Sequence, residues 1–350
     1  MLNAVIVGCG TIGKGHARAY QGCREIRLAG VTDIEGDRAA ALAKEHDVPA
    51  YGSLEEVLGR SDVDVVDVCV PSGTHGDIAI AAAKAGKHCV SEKPLDVTPQ
   101  RCDEIIAAFD QAGTVLGGIY QHRYADDVRK TKAAIEAGRL GKVTLATCLT
   151  PWWRAQEYYD SGEWRGTWEL DGGGALMNQS IHAIDLLTWL VGPVKTITAR
   201  TALLAHERIE VEDVAVSICE FENGALGVIN GTTAAYPGSG VRHEIMGTDG
   251  TVFFVSDKMH TWKLRDEQER DAAPAAEATG EKAGAASDPT VLSDNLFTRN
   301  LDDVARAARE GGEPCVTGRE AKRAVEIICA IYESARRGGP VEFPLKEFRP

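Results

Sequence analysis

Three groups of residues have the types and spacing to do chemistry. The first is Gly8-Cys9-Gly10-Thr11-Ile12-Gly13, with Asp33 twenty residues beyond its last glycine. Between a strand and a helix, Gly8 allows the tight turn, Gly10 lets backbone approach a pyrophosphate, and Gly13 lets the helix pack on the strand. The helix N-terminus then attracts the phosphate charge. Asp33 would accept hydrogen bonds from adenosine ribose hydroxyls and repel a 2′-phosphate, which favours NAD; Arg38 offsets part of that repulsion and keeps NADP open. The second group is Glu92-Lys93-Pro94, just past the carboxyl end of a strand, where open α/β sheets place ligands. A lysine there can hydrogen-bond a reacting hydroxyl and ease its deprotonation, with Glu92 holding or tuning it. The plain alternative is a solvated lysine before a structural proline. In the third group, Asn178, His182 and Asp185 interrupt an apolar helix, Ala175–Leu190, at i, i+4 and i+7. A polar stripe on a buried helix is costly unless partnered, so it lines a cleft or forms an internal network. His182 titrates near working pH and is the choice for general acid/base.

The elements that must position these groups are legible. Residues 3–7, 26–32, 63–70, 88–91 and 115–120 read as strands and alternate with helices. One of those helices has an N-cap at Thr98 with Pro99 at its first position, and another opens with the capping box Ser53-Leu54-Glu55-Glu56. This alternation predicts a doubly wound parallel sheet covered on both faces. After about residue 140 the pattern changes. Residues 144–150 and 213–220 alternate as strands, and Asn223-Gly224 and Asp249-Gly250 mark hairpins, so the second domain is expected to be α+β with an open, mostly antiparallel sheet. The predicted domains are 1–122 and 123–350. Residues 266–290 read as an exposed loop, and a helix at about 318–337 is expected to pack back onto a domain core.

Composition narrows the class. The chain has 350 residues, 44% hydrophobic and 26% charged, with a net charge of −14 and a mean hydropathy of −0.18. These values fit an ordinary globule of two or three domains and exclude fibrous, disordered and integral-membrane classes. The negative balance argues against nucleic acid as a partner. Nine cysteines, none at C-x-x-C spacing, support neither a zinc site nor a disulfide framework, so no metal is expected. With the first strand starting at residue 3 and no apolar run of about 18 residues, neither a signal peptide nor a membrane span is expected, and cytoplasm follows.

Together, the N-terminal fingerprint, Ser91-Glu92-Lys93-Pro94-Leu95 and the run Gly172-Gly173-Gly174-Ala175-Leu176-Met177-Asn178-Gln179-Ser180-Ile181-His182-Ala183-Ile184-Asp185-Leu186-Leu187 resemble the glucose–fructose oxidoreductase / inositol dehydrogenase / MocA family. The resemblance runs from Val5 to about Leu345. It implies an NAD(P)-dependent dehydrogenase of a sugar, cyclitol or sugar derivative, commonly a dimer or tetramer, with a Rossmann domain and an open sheet whose face carries the substrate. Carried over residue by residue, Lys93 and His182 are catalytic. Beyond the glycine loop, Asp33 and Arg38, the implied cofactor contacts are Glu92, Lys93, Pro71 and His75 of a Pro-x-x-x-His turn, Gln121 where Asn is frequent, and the Trp164-Arg165 pair. The plain alternative for His75 is a helix-start residue without a ligand. The substrate set is Lys93, Arg123, Trp152, Tyr158, Asn178, Gln179 and His182. Residues 151–168 concentrate aromatics that would stack on a pyranose or else form an interface or core cluster. Arg123 and Arg154 are candidates for an acidic substrate group. Asn178 stands where many members have Asp, so the proton would be shared mainly by Lys93 and His182 while Asn178 positions the substrate. The Asn-Gln version resembles a subset acting on sugar nucleotides and related sugars, including N-acetylated aminosugar uronates. Two other readings stay open: an NAD-dependent glycosidase using transient oxidation, and a non-catalytic NAD-binding sensor.

Overall fold

The computed structural model describes residues 1–266, 294–345 and 347–349; apart from Asp266, the expected loop 266–290 lies outside them. The chain forms two compact units, Met1–Gln121 with Thr290–Val325, and His122–Pro289 with Glu326–Pro350.

The first unit is built on five parallel strands, β1 (Leu2–Val7), β2 (Ile26–Thr32), β3 (Val65–Val68), β4 (His88–Ser91) and β5 (Leu116–Gly118), in the order β2-β1-β3-β4-β5. The helices between them are α1 (Thr11–Tyr20), α2 (Gly36–His46), α3 (Leu54–Leu58), α4 (His75–Lys84) and α5 (Pro99–Ala112). The chain moves outward from β1 to β2 and then returns to β3 on the other side of β1. That reversal leaves a crevice at the carboxyl ends of β1 and β3, the usual ligand position in such sheets. Local chemistry sets the helix starts as expected: Thr98 accepts from the Arg101 N–H at 3.3 Å, and Ser53 from the Glu56 N–H at 3.2 Å.

The second unit carries α6 (Asp126–Glu136), β6 (Val143–Pro151), α7 (Gln156–Asp160), α8 (Ile181–Val191) and β7 to β12 (Val194–Ala202, Val214–Phe221, Leu226–Thr232, Arg242–Gly247, Gly250–Val255, Lys258–Leu264). The chain continues through α9 (Asp294–Glu310), α10 (Gly318–Arg337) and β13 (Val341–Glu342). The eight-stranded sheet has the order β12-β11-β10-β6-β9-β8-β7-β13, antiparallel except for the β6/β9 pair. Both predicted hairpins are present: β8/β9 turns through Gly224 at φ +84°, and β10/β11 pair across Asp249-Gly250. Helix α8 packs on β6 and β10 and covers one face. The other face keeps Val216, Ile218 and Leu226 at 52%, 62% and 60% exposure.

Two expectations change. The first unit takes back residues assigned to the second domain, because Phe297, Leu301, Val304 and Ala305 of α9 join the core of the parallel sheet. The helix expected over 175–190 is a π-helical stretch, Ala175–Ser180, followed by α8. Apolar residues in that stretch pack equally well at either winding, so the sequence does not distinguish them.

Candidate active site

The glycine loop follows β1 directly. Gly8 sits at φ +103°, where a Cβ would lie 2.5 Å from the Cys69 carbonyl oxygen. A Cβ at Gly13 would lie 2.0 Å from the Gly8 carbonyl oxygen, so helix and loop touch backbone to backbone. Gly10 caps α1 with no side-chain hydrogen bond, and a Cβ there would meet nothing within 4 Å. The loop is closed behind and open in front, as a phosphate cradle must be. Asp33 accepts from the Cys9 N–H at 2.6 Å and the Glu35 N–H at 2.8 Å, one bond per oxygen, which leaves acceptor capacity for hydroxyls. Arg38 is exposed on α2. Gln121 is buried, and its Oε1 has no hydrogen-bond partner among the described residues. These residues fit a dinucleotide.

The Pro71–His75 turn is structural at its histidine. His75 is 1% exposed, and its ring nitrogens lie 2.8 Å from the Pro94 and Val70 carbonyl oxygens. Burial lowers its pKa. With both ring nitrogens beside main-chain carbonyls, the His75 ring ties the turn after β3 to the turn after β4.

Glu92 and Lys93 follow β4, and the Lys93–Pro94 peptide is cis. Lys93 is half-buried, and its backbone N–H donates to Glu92 Oε2 at 3.0 Å. Glu92 Oε1 lies 3.0 Å from His16 Nε2, and His16 Nδ1 lies 2.8 Å from Asp67 Oδ2. Sequence reading missed this chain. Its signal was Asp67, the one acid inside the apolar strand Val65–Val68, which is buried on both faces. The His16 nitrogen, an Asp67 carboxylate oxygen and the Cys69 sulfur lie within 4.8 Å of one another. They hydrogen-bond to one another, with Cys69 Sγ at 3.4 Å from His16 Nδ1, and burial pushes the Cys69 thiol up, so it keeps its proton.

In the second unit, the π-helical stretch is held at its start by buried Glu212, which accepts from the N–H groups of Gly174 (3.0 Å) and Leu176 (2.8 Å) and from the Tyr332 hydroxyl (3.0 Å). Asn178 and His182 are half-buried. Asn178 donates to Asp171 Oδ1 at 2.6 Å and accepts from Gln179 Nε2 at 3.0 Å. Gln179 also donates to the Tyr158 hydroxyl at 2.8 Å and accepts from Arg154 at 2.9 Å. Trp152, Arg154, Tyr158, Arg165 and Trp164 alternate as ring and guanidinium, at 4.9, 5.2, 4.3 and 4.5 Å. His182 packs edge-on against His122 at 4.9 Å, and His122 Nδ1 lies 2.5 Å from Asp257 Oδ2.

Of the two readings open for the polar stripe, Asp185 takes the internal one: it is 1% exposed and bridges Arg123 through Oδ2 (2.8 Å) and Oδ1 (2.5 Å). Asp185 fills the Arg123 fork at both oxygens, so the carboxylate that fork matches is the protein's own.

Comparisons with known proteins agree with this geometry. Residues 2–120 match the profile described as "Oxidoreductase family, NAD-binding Rossmann fold", and residues 128–253 match the "GFO/IDH/MocA C-terminal domain". The chain is 30% identical over 270 residues to myo-inositol 2-dehydrogenase of Thermotoga maritima, covering 75% of this chain and 78% of that one. It is 25% identical to the NAD⁺-dependent scyllo-inositol 2-dehydrogenase of Bacillus subtilis, covering 99% and 97%. The WlbA dehydrogenase of Bordetella pertussis, solved with NADH and UDP-GlcNAcA, superposes with a TM-score of 0.87 at 34% identity, each chain covered to 99%. The fold and the glycine cradle thus define an NAD-binding oxidoreductase acting on CH–OH donors. The chain belongs to the Gfo/Idh/MocA family of sugar and cyclitol dehydrogenases. Among the described residues no helix is long and apolar enough to cross a membrane.

Proposed function

We propose that this protein reversibly oxidises a secondary hydroxyl of a sugar, cyclitol or sugar derivative to a ketone, with Lys93 and His182 handling the hydroxyl proton. The observation that carries the reading is Lys93 itself: a half-buried lysine beside a buried carboxylate, at the carboxyl edge of the sheet that also carries the glycine loop. Lys93 donates a hydrogen bond to the reacting oxygen and stabilises the charge that develops on it. His182 takes the proton in oxidation and returns it in reduction. Bound NAD supplies the hydride acceptor. Asn178 and Gln179 orient the sugar, and the Trp152–Trp164 stack offers ring faces to a pyranose. With Arg123 committed to Asp185, Arg154 is the remaining candidate for an acidic substituent such as the one WlbA's ligand carries. The first unit holds the cofactor and the second the substrate.

The test is NADH production at 340 nm with myo-inositol, scyllo-inositol, levoglucosan and UDP-GlcNAcA. Lys93→Met and His182→Asn are expected to lose about 10²–10⁴-fold in turnover while still binding NAD; near-wild-type activity in either sinks the assignment. Hydrolysis without NADH would favour the glycosidase reading. The apolar outer face of the eight-stranded sheet supports self-association as a dimer or tetramer. Ile218→Asp is expected to lower the mass measured by light scattering, and an unchanged mass would remove that face from the contact.

A further inference from the structure

We propose that the buried chain Asp67–His16–Glu92 is a fixed-charge support for Lys93: an imidazolium held between two carboxylates keeps Glu92 ionised, and Glu92 keeps Lys93 cationic and pins its main chain. The inference rests on the reading of Lys93 given above and adds three positioning residues to it.

A neutral imidazole has one N–H and one lone pair, and a lone pair facing a carboxylate oxygen is repelled. His16 faces carboxylates at both nitrogens: Asp67 at 2.8 and 3.1 Å from Nδ1, and Glu92 at 3.0 Å from Nε2. Asp67 also accepts from the Tyr20 hydroxyl at 2.9 Å and the Cys69 thiol at 3.6 Å, so its surroundings treat it as an acceptor on every side. The remaining Glu92 oxygen accepts the Lys93 main-chain N–H, and the Lys93 charge acts on Glu92 through space. Both ring contacts are satisfied together when the ring carries two protons. The charges then alternate, Asp67 negative, His16 positive, Glu92 negative, Lys93 positive.

The other titratable groups facing this chain are neutral. Burial pushes the Tyr20 hydroxyl and the Cys23, Cys69 and Cys89 thiols up, and it lowers His75. Burial alone would lower His16, yet the Asp67 charge and hydrogen bond hold it well above its ordinary range. Burial alone would raise Glu92, yet the His16 bond and charge and the Lys93 charge hold it low. From α9, Phe297 meets the His16 ring edge-on at 5.1 Å and adds no charge.

Burying three ionised groups costs several kcal/mol per ion before pairing, and apolar replacements of similar volume often do as well for stability. Strand β3 is otherwise Val65, Val66 and Val68. What an apolar replacement could not supply is a link between α1, which opens at the glycine loop, and the residue next to Lys93.

The test uses the full chain. In histidine-labelled protein, ring ¹⁵N signals assigned to His16 by their loss in His16→Gln are expected to show both nitrogens protonated at pH 8. In protein whose lysines carry ¹³C-methyl groups, the Lys93 signal, assigned by its loss in Lys93→Arg, is expected to titrate at least about one pH unit lower in Glu92→Gln. A neutral His16 ring at pH 8, or an unmoved Lys93 midpoint in a folded Glu92→Gln protein, overturns the inference. If Glu92→Gln does not unfold cooperatively, the wild-type ring signals decide alone. Neither readout depends on turnover, so an active Lys93→Met protein would fail the catalytic reading separately.

Discussion

The residues around Lys93 and those around Asn178 and His182 are held by opposite kinds of polar network. Beside Lys93 the groups are ionised and sealed: His16 and Asp67 are fully buried, and Glu92 nearly so. Around Asn178 they are mostly amides, a hydroxyl and guanidinium faces stacked on rings, and Asn178, Tyr158, Arg165 and Trp164 are half-exposed. A sealed chain of charges has one satisfied arrangement, because every alternative leaves a buried charge unpaired. Amides can turn over and aromatic faces accept many partners. The first network suits a task that repeats unchanged each turnover, and the second suits fitting a substrate's shape.

That contrast can be broken or sharpened by substitution. The largest effect is expected where a charged pair is sealed inside the second unit. Arg123→Ala removes the guanidinium that bridges both oxygens of buried Asp185, and should cost about 3–5 kcal/mol in urea unfolding. If Arg123 bound substrate instead, KM would rise with stability intact. Next is Glu212, whose pKa burial pushes up to about 7 from an ordinary 4.5, against the Leu176 and Gly174 N–H groups and the Tyr332 hydroxyl. Its folded pKa exceeds the unfolded one, so its contribution is fully present below about pH 4.5 and is lost as pH rises to about 7. The loss amounts to about 3 kcal/mol. Thermal unfolding across that window should slope for the wild type and be flatter for Glu212→Gln; parallel curves would remove Glu212 as the source. The smallest effect is expected in the amide network. Asn178→Asp sets a second carboxylate 2.6 Å from Asp171, so one of the two must hold a proton. Turnover should drop about tenfold and fall further as pH rises; a wild-type pH profile would show that the network adapts even to charge.

Much of this was legible in the sequence. The strand–helix alternation, the glycine loop, the Thr98 cap and the two hairpin turns follow from local residue chemistry, and local chemistry is where they formed. What escaped depends on distance along the chain or on ambiguous chemistry. His16 meets Asp67 and Glu92 across 51 and 76 residues. Arg123 shows a fork that matches any carboxylate, and only the fold reveals that Asp185 fills it. The π-helical winding of residues 175–180 escaped because Ala, Leu and Met carry no signal that separates it from α.

The return of α9 to the first unit has a consequence for how the chain can be made and cut. The parallel sheet's core is completed by Phe297, Leu301 and Val304, so a fragment ending at residue 121 would lack part of its own interior. On a ribosome, that unit cannot close until nearly the whole polypeptide has emerged. Grafting the cofactor unit onto another protein would therefore take two junctions, not one.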